Sequence, residues 1–168
     1  MEQARPGAMH ERKLVLWLGI AALVVVLDQV TKQMITGALQ YLEVRQITGF
    51  FNLVLAYNTG AAFSLLNDQP GWQRGFFIAV GVVASLVIVV LLNKHVKDSR
   101  FCLALSLILG GALGNVWDRA ALGHVIDFIQ VHAGAYYWPS FNVADSAICC
   151  GAGLLIWDSL LGSGRKPE

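Results

Sequence analysis

Two aspartates sit in apolar company, where carboxylates are costly. Asp127 lies within Val125-Ile-Asp-Phe-Ile129, and Asp145 is followed by twelve uncharged residues, Ser146 to Trp157. Carboxylates brought close together cannot both ionise easily, so one of them holds a proton near neutral pH. The ionised member can activate water while the neutral one donates to a carbonyl oxygen. That is aspartic-protease chemistry, and it needs neither a metal nor a covalent intermediate.

Other polar residues carry spacing of their own. Asn115 and Arg119 are four apart on one helical face, with Asp118 three after Asn115. A planar guanidinium there could hold a peptide carbonyl or carboxylate, or simply reach to headgroups. Asp28 and Lys32 are also four apart, which fits an ion pair anchoring a helix end. Asp145 on its own fits a helix-start acid, favoured by the positive end of the helix dipole. His124, Asp127 and His132 could ligate a metal, but their spacing is irregular. Lys32 could pair with Ser64, Ser140 or Ser146 as a Ser/Lys dyad, and no spacing singles out one of them. No metal or cofactor is expected.

Elements that position these groups must be sought in an unusually apolar chain. Of 168 residues, 56% are hydrophobic and only 14% charged, against about 25% charged in an average soluble domain. The mean hydropathy is +0.58. A net charge of +1 without a basic cluster argues against a nucleic-acid partner. Leu14–Leu27, Gly75–Leu92, Phe101–Trp117 and Ser146–Trp157 stand out as apolar runs. Extended at their ends, they predict four spans near 14–32, 73–92, 101–119 and 143–161. The first could be a signal-peptide core, but no A-x-A-like site follows it directly, so it is expected to stay in the protein.

Residues 46–67 contain no charge and could be mistaken for a fifth span. Charge bias decides against that. With four spans, Arg5, Arg12, Lys13, Lys94, Lys97, Arg100, Arg165 and Lys166 share one side, eight of the twelve basic residues. Such an excess marks the cytoplasmic face. A fifth span would scatter them. Both termini are therefore expected in the cytoplasm, and 46–67 outside at the membrane surface, where its Gly and Asn residues and its β-branched and aromatic stretch favour short strands. The expected fold is a single-domain membrane all-α bundle of four transmembrane helices with a small extracytoplasmic β-rich segment. Asp28, Lys32, Asn58, Asn115, Asp118, Arg119, Asp127, Asn142 and Asp145 all fall at its outer interface, with Asp127 in a loop after the third helix. Ionisable residues at that depth pair or face a polar cavity. Trp72, Trp117, Tyr136, Tyr137 and Trp138 fit an interfacial aromatic belt. Cys102, Cys149 and Cys150 read as small buried hydrophobes.

Five blocks, in order, carry a resemblance. They are Asp28-Gln-Val-Thr-Lys32, Asn58-Thr-Gly-Ala-Ala-Phe-Ser64, Gly110-Gly-Ala-Leu-Gly-Asn-Val-Trp-Asp-Arg119, Val125-Ile-Asp-Phe128 and Phe141-Asn-Val-Ala-Asp-Ser146. Together the sequence resembles bacterial lipoprotein signal peptidase (signal peptidase II). The resemblance implies a four-helix aspartyl endopeptidase of the bacterial inner membrane. It would cut the signal peptide from diacylglyceryl-modified prolipoproteins immediately before the lipidated cysteine. It implies Asp127 and Asp145 as the catalytic pair, and Asn58, Asn115, Arg119 and Asn142 as substrate-binding. Asp28, Lys32 and Asp118 would be structural polar residues, and an outer β-cradle would correspond to residues near 41–66. The expected partners are prolipoprotein substrates and membrane lipid, around a monomer. Two rival readings differ in testable ways. A transporter or proton-relay subunit would spread its acids through the membrane depth. A non-catalytic assembly factor would tolerate Asp145→Asn.

Overall fold

The computed structural model describes residues 6–60 and 71–162. Within them lie α1 (Pro6–Ala38), β1 (Val44–Gln46), β2 (Phe51–Asn58), α2 (Trp72–Lys94), α3 (Ser99–Leu122), β3 (Val125–Ala133), β4 (Tyr136–Tyr137) and α4 (Val143–Gly162). All four helices are long and apolar enough to cross a membrane. The first is longer than its expected span: α1 runs for 33 residues and carries polar turns beyond 14–32.

The bundle is organised around α3, which packs against α1, α2 and α4. Its most apolar stretch is 56% buried, against 17–22% for the other three helices. Trp17, Ala21, Ile88, Leu92, Cys102, Leu105 and Leu109 form the core on one half of the bundle. The outward faces keep large apolar side chains such as Leu23, Val83, Leu86, Val90 and Leu160 exposed. Water would reject such a surface, whereas lipid tails accept it. This also corrects the reading of two cysteines. Cys102 is buried in the core, but Cys149 and Cys150 are exposed. They lie on the flank of a peripheral helix, where lipid takes the place of a protein interior.

Close approach of the helices depends on glycine. A Cβ on Gly111 would strike the Ala144 carbonyl of α4, and one on Gly114 would lie 2.6 Å from Asp28 Oδ2 of α1. The small face of α3 thus lets both neighbours press in where the polar residues are.

A four-stranded antiparallel sheet, in the order β1-β2-β3-β4, covers this end of the bundle. Only β1 and β2 fall in the expected segment 41–66, of which residues 61–66 lie outside the described residues. The other half of the sheet is β3 and β4. Asp127, expected in a loop, is on β3 and faces Ala56 of β2 across the ladder. The reason is local. Gly123 ends α3 with φ +85, a left-handed conformation that suits glycine, and its N–H returns to the Arg119 carbonyl. The chain then enters β3 after a single residue, His124.

Candidate active site

The start of α4 brings the first half of the site into order. Asn142 Oδ1 accepts from Asp145 N at 2.9 Å, and Asn142 N donates to Asp145 Oδ2 at 3.3 Å. This reciprocal pair is a capping box built from Asn and Asp. The helix-start role of Asp145 is therefore real, but it uses only one carboxylate oxygen. The other, Oδ1, accepts from Asn115 Nδ2 of α3 at 2.8 Å.

Asp127 is held in the same manner from the sheet side. Its Oδ1 accepts from Asn142 Nδ2 at 2.8 Å, and its Oδ2 from Asn58 Nδ2 at 3.1 Å. One residue, Asn142, thus binds both aspartates, with its side-chain amide on Asp127 and its backbone N–H on Asp145. Asn142 is 0% exposed. Its amide nitrogen also lies 3.3 Å from the Ile126 carbonyl and 3.4 Å from Asn115 Oδ1. Burial, and next the negative charge of Asp145, push the Asp127 carboxyl up to about 7, while Asn58 and Asn142 pull in the opposite direction. The two acids therefore behave as one coupled unit.

Behind them lies a buried ionic cluster. Lys32 Nζ is 2.7 Å from Asp28 Oδ2, 2.7 Å from Asp118 Oδ2 and 3.3 Å from Asn115 Oδ1, so three acceptor oxygens surround its ammonium group. Its carboxylates reach outward. Asp28 Oδ1 accepts from Ala144 N at 2.9 Å, and Asp118 Oδ2 from Ile126 N at 3.2 Å. Each of these backbone groups immediately precedes an aspartate of the pair. Gln29 completes the cluster by donating to Asp118 Oδ1 at 2.8 Å. Sequence reasoning passed over Gln29, although it stands inside the Asp28–Lys32 block.

Arg119 turns toward the segment after β2. Its Nη2 donates to the Gly60 carbonyl at 2.7 Å, Nη1 approaches Asn115 O at 3.4 Å, and the guanidinium lies 5.0 Å from the Phe77 ring centre. The other early candidates are occupied elsewhere. The His124 ring packs at a tilt against Tyr57, and His132 stacks on Tyr137. Among the described residues no three His, Cys, Asp or Glu side chains converge as a metal-binding group. Lys32 is committed to its carboxylates, Ser146 Oγ donates to the Asn142 carbonyl at 2.9 Å, and Ser64 lies outside the described residues.

Asp127 and Asp145 both open onto a cavity of about 470 Å³. Asn58, Asn115 and Arg119 share its polar part, while Val125, Phe141 and Ile148 make much of it apolar. A second hollow of about 350 Å³ meets the first at Asn58 and Asp127. It is lined on the sheet side by Tyr57, Gln130 and Tyr137. Trp138, Pro139 and Ser140 touch both hollows, a placement that neither the aromatic-belt reading of Trp138 nor the dyad reading of Ser140 pointed to.

Comparison with known proteins agrees with this architecture. Residues 20–161 match the family model described as signal peptidase (SPase) II. A lipoprotein signal peptidase of Janthinobacterium sp. (strain Marseille) is 57% identical over 149 residues, covering 89% of this chain and 90% of that protein. One from Cupriavidus taiwanensis is 58% identical over 162 residues, covering 94% and 92%. A solved bacterial membrane enzyme superposes with a TM-score of 0.82 at 32% identity, over 91% of this chain and 92% of its own. A second such structure gives 0.78 at 31% identity, over 86% and 92%.

Proposed function

The chain belongs to the signal peptidase II family and is a membrane signal peptidase, and on that premise we propose that it is an aspartic endopeptidase whose catalytic pair is Asp127 and Asp145. The observation that carries this reading is the shared grip of Asn142 on both carboxylates, at the meeting point of two cavities. Asp127 holds the shared proton and donates it to the scissile carbonyl oxygen. Asp145 takes a proton from the attacking water, and the pair then returns one to the leaving amine. Asn142 and Asn115 are positioning residues, since their side chains are engaged with the aspartates and with each other. Asn58 and Arg119, at the cavity wall, contact substrate. The transporter and assembly-factor readings are not favoured, because the acids meet at one end of the bundle in a peptidase-family chain.

Its substrates are prolipoproteins, and it is a multi-pass protein of the inner membrane. We propose one membrane domain working as a monomer, and the charge bias supports both termini in the cytoplasm and the site near the outer face. The apolar cavity among the helices receives the signal-peptide end and the diacylglyceryl chains laterally from the bilayer. The polar hollow on the sheet takes the first residues of the mature protein. The cut falls immediately before the lipidated cysteine. A cleavage assay on a purified prolipoprotein with and without its diacylglyceryl group tests this. The modified form should be cut at least about 100-fold faster, through loss of remote binding energy in the unmodified one. Equal rates would remove lipid from the recognition.

The pH profile provides a second test. Activity should fall as pH rises through about 7, where Asp127 gives up the proton it must donate. Asn58 donates to the ionised carboxylate, so Asn58→Leu should raise the Asp127 value and move this alkaline limb to higher pH. A limb that stays in place, or moves down, contradicts the assignment of the acid.

A further inference from the structure

At the other end of the bundle, about 36 Å along α3 by helical rise, lies a hollow that the peptidase reaction does not use. It has a volume of about 340 Å³ and is lined by His10 of α1, Lys94 at the end of α2, and the turn His95, Val96, Lys97 and Asp98 before α3.

This turn is built rather than loose. Val96 is 3% exposed, and its carbonyl accepts from the Trp17 indole of α1 at 3.3 Å. The His95 carbonyl accepts from Asp98 N at 2.9 Å and from the Cys102 thiol at 3.1 Å. His95 Nδ1 donates to the Leu91 carbonyl, and His10 Nε2 lies 3.0 Å from Asn93 Oδ1. The backbone that carries Lys94 and Lys97 is therefore fixed from α1, α2 and α3 at once.

The charges around the hollow do not cancel. Lys94 and Lys97 are exposed and form no ion pair among the described residues. The one carboxylate in the lining, Asp98, caps α3 by accepting from Phe101 N at 3.2 Å. Two ammonium groups thus border a concave site, at the depth where helix ends meet headgroups. A topological signal needs only the charges. It does not need a cavity, nor a turn tied down by an indole and a thiol.

We propose that this hollow binds the phosphate headgroup of an anionic phospholipid, held by Lys94 and Lys97 with His10 and His95 at its rim. Basic pockets between membrane helices suit such headgroups, and each lysine near the surface contributes about a fivefold gain in affinity. The acyl chains would run along the exposed apolar faces beside it. The inference rests on the topology proposed above only for naming the leaflet as cytoplasmic.

Native mass spectrometry of the full chain, titrated with phosphatidylglycerol or phosphatidylcholine of equal acyl composition, tests it. The intact protein should retain phosphatidylglycerol in preference. Lys94→Gln/Lys97→Gln should weaken that binding on the order of 25-fold, the product of two lysines, and Lys94→Arg/Lys97→Arg should keep it. Should the double variant fail to insert, Lys94→Gln and Lys97→Gln singly should each lose about fivefold. Arg12→Gln/Lys13→Gln removes the same charge from outside the lining and should cost clearly less than the Lys94/Lys97 pair. Equal retention of both lipids, or an equal loss in the Arg12/Lys13 variant, would overturn the site in favour of diffuse attraction. Displacement by millimolar inorganic phosphate would make it a free-phosphate site instead. None of these readings depends on peptidase activity.

Discussion

Asp127→Asn and Asp145→Asn should each lower the cleavage rate by at least about 10³-fold, within the range of a lost general acid or base. Neither change should unfold the protein. Asn is nearly the same size, and at each site it can still accept one of the two hydrogen bonds now made. The loss should fall on kcat in a lipid-modified prolipoprotein assay, with thermal unfolding in detergent as the control. The two changes should not add. Once either acid is gone the water has no partner pair, so Asp127→Asn/Asp145→Asn should be about as slow as either single variant. Multiplied losses would mean that the two acids act separately. Near-normal turnover in Asp145→Asn would return it to the role of a capping residue and no more.

The helices were legible in the sequence because lipid demands about twenty apolar residues from each span and leaves little room for other solutions. The sheet was only half legible. β2 lies within the segment that charge bias had put outside, but β3 is buried along Val125–Phe128 on both faces. It therefore shows none of the polar alternation that marks a half-exposed strand. That is why Asp127 was expected in a loop. For Asp145 the cap and the reactive acid seemed to be competing readings. The structure shows the cap and leaves the proposed acid compatible with it, because Asn142 needs one carboxylate oxygen and the other accepts from Asn115. No one-dimensional spacing conveys this, since the partners come from α3, β2, β3 and the start of α4. The same holds for the cysteines: a sequence says that sulfur is apolar, but not whether its apolar surroundings are protein or lipid.

Lys32→Met should destabilise the protein by about 3–5 kcal/mol, the range seen when one partner of a buried ion pair is removed. Asp28 and Asp118 are 0% and 1% exposed, and Lys32 is the one cation within ion-pair distance of either among the described residues. Without it, two carboxylates would face each other in a dry interior. A drop in detergent unfolding temperature and in membrane yield would report this. Exposure is what makes the difference. The Arg45–Glu43 pair on the sheet is solvated, and its removal should leave stability almost unchanged. The decisive companion is Lys32→Met/Asp28→Asn/Asp118→Asn. It removes all three charges yet keeps an acceptor oxygen for Ala144 N and another for Ile126 N. Most of the stability should return, because neutral replacement of a buried ionic cluster is often tolerated. Activity should return less completely. Those two N–H groups directly precede Asp145 and Asp127, so on the proposed mechanism the cluster would set the separation of the two acids as well as the packing of α1 on α3. Recovered stability with full recovery of kcat would limit the cluster to packing. An unchanged unfolding temperature in Lys32→Met would show instead that water reaches the two carboxylates.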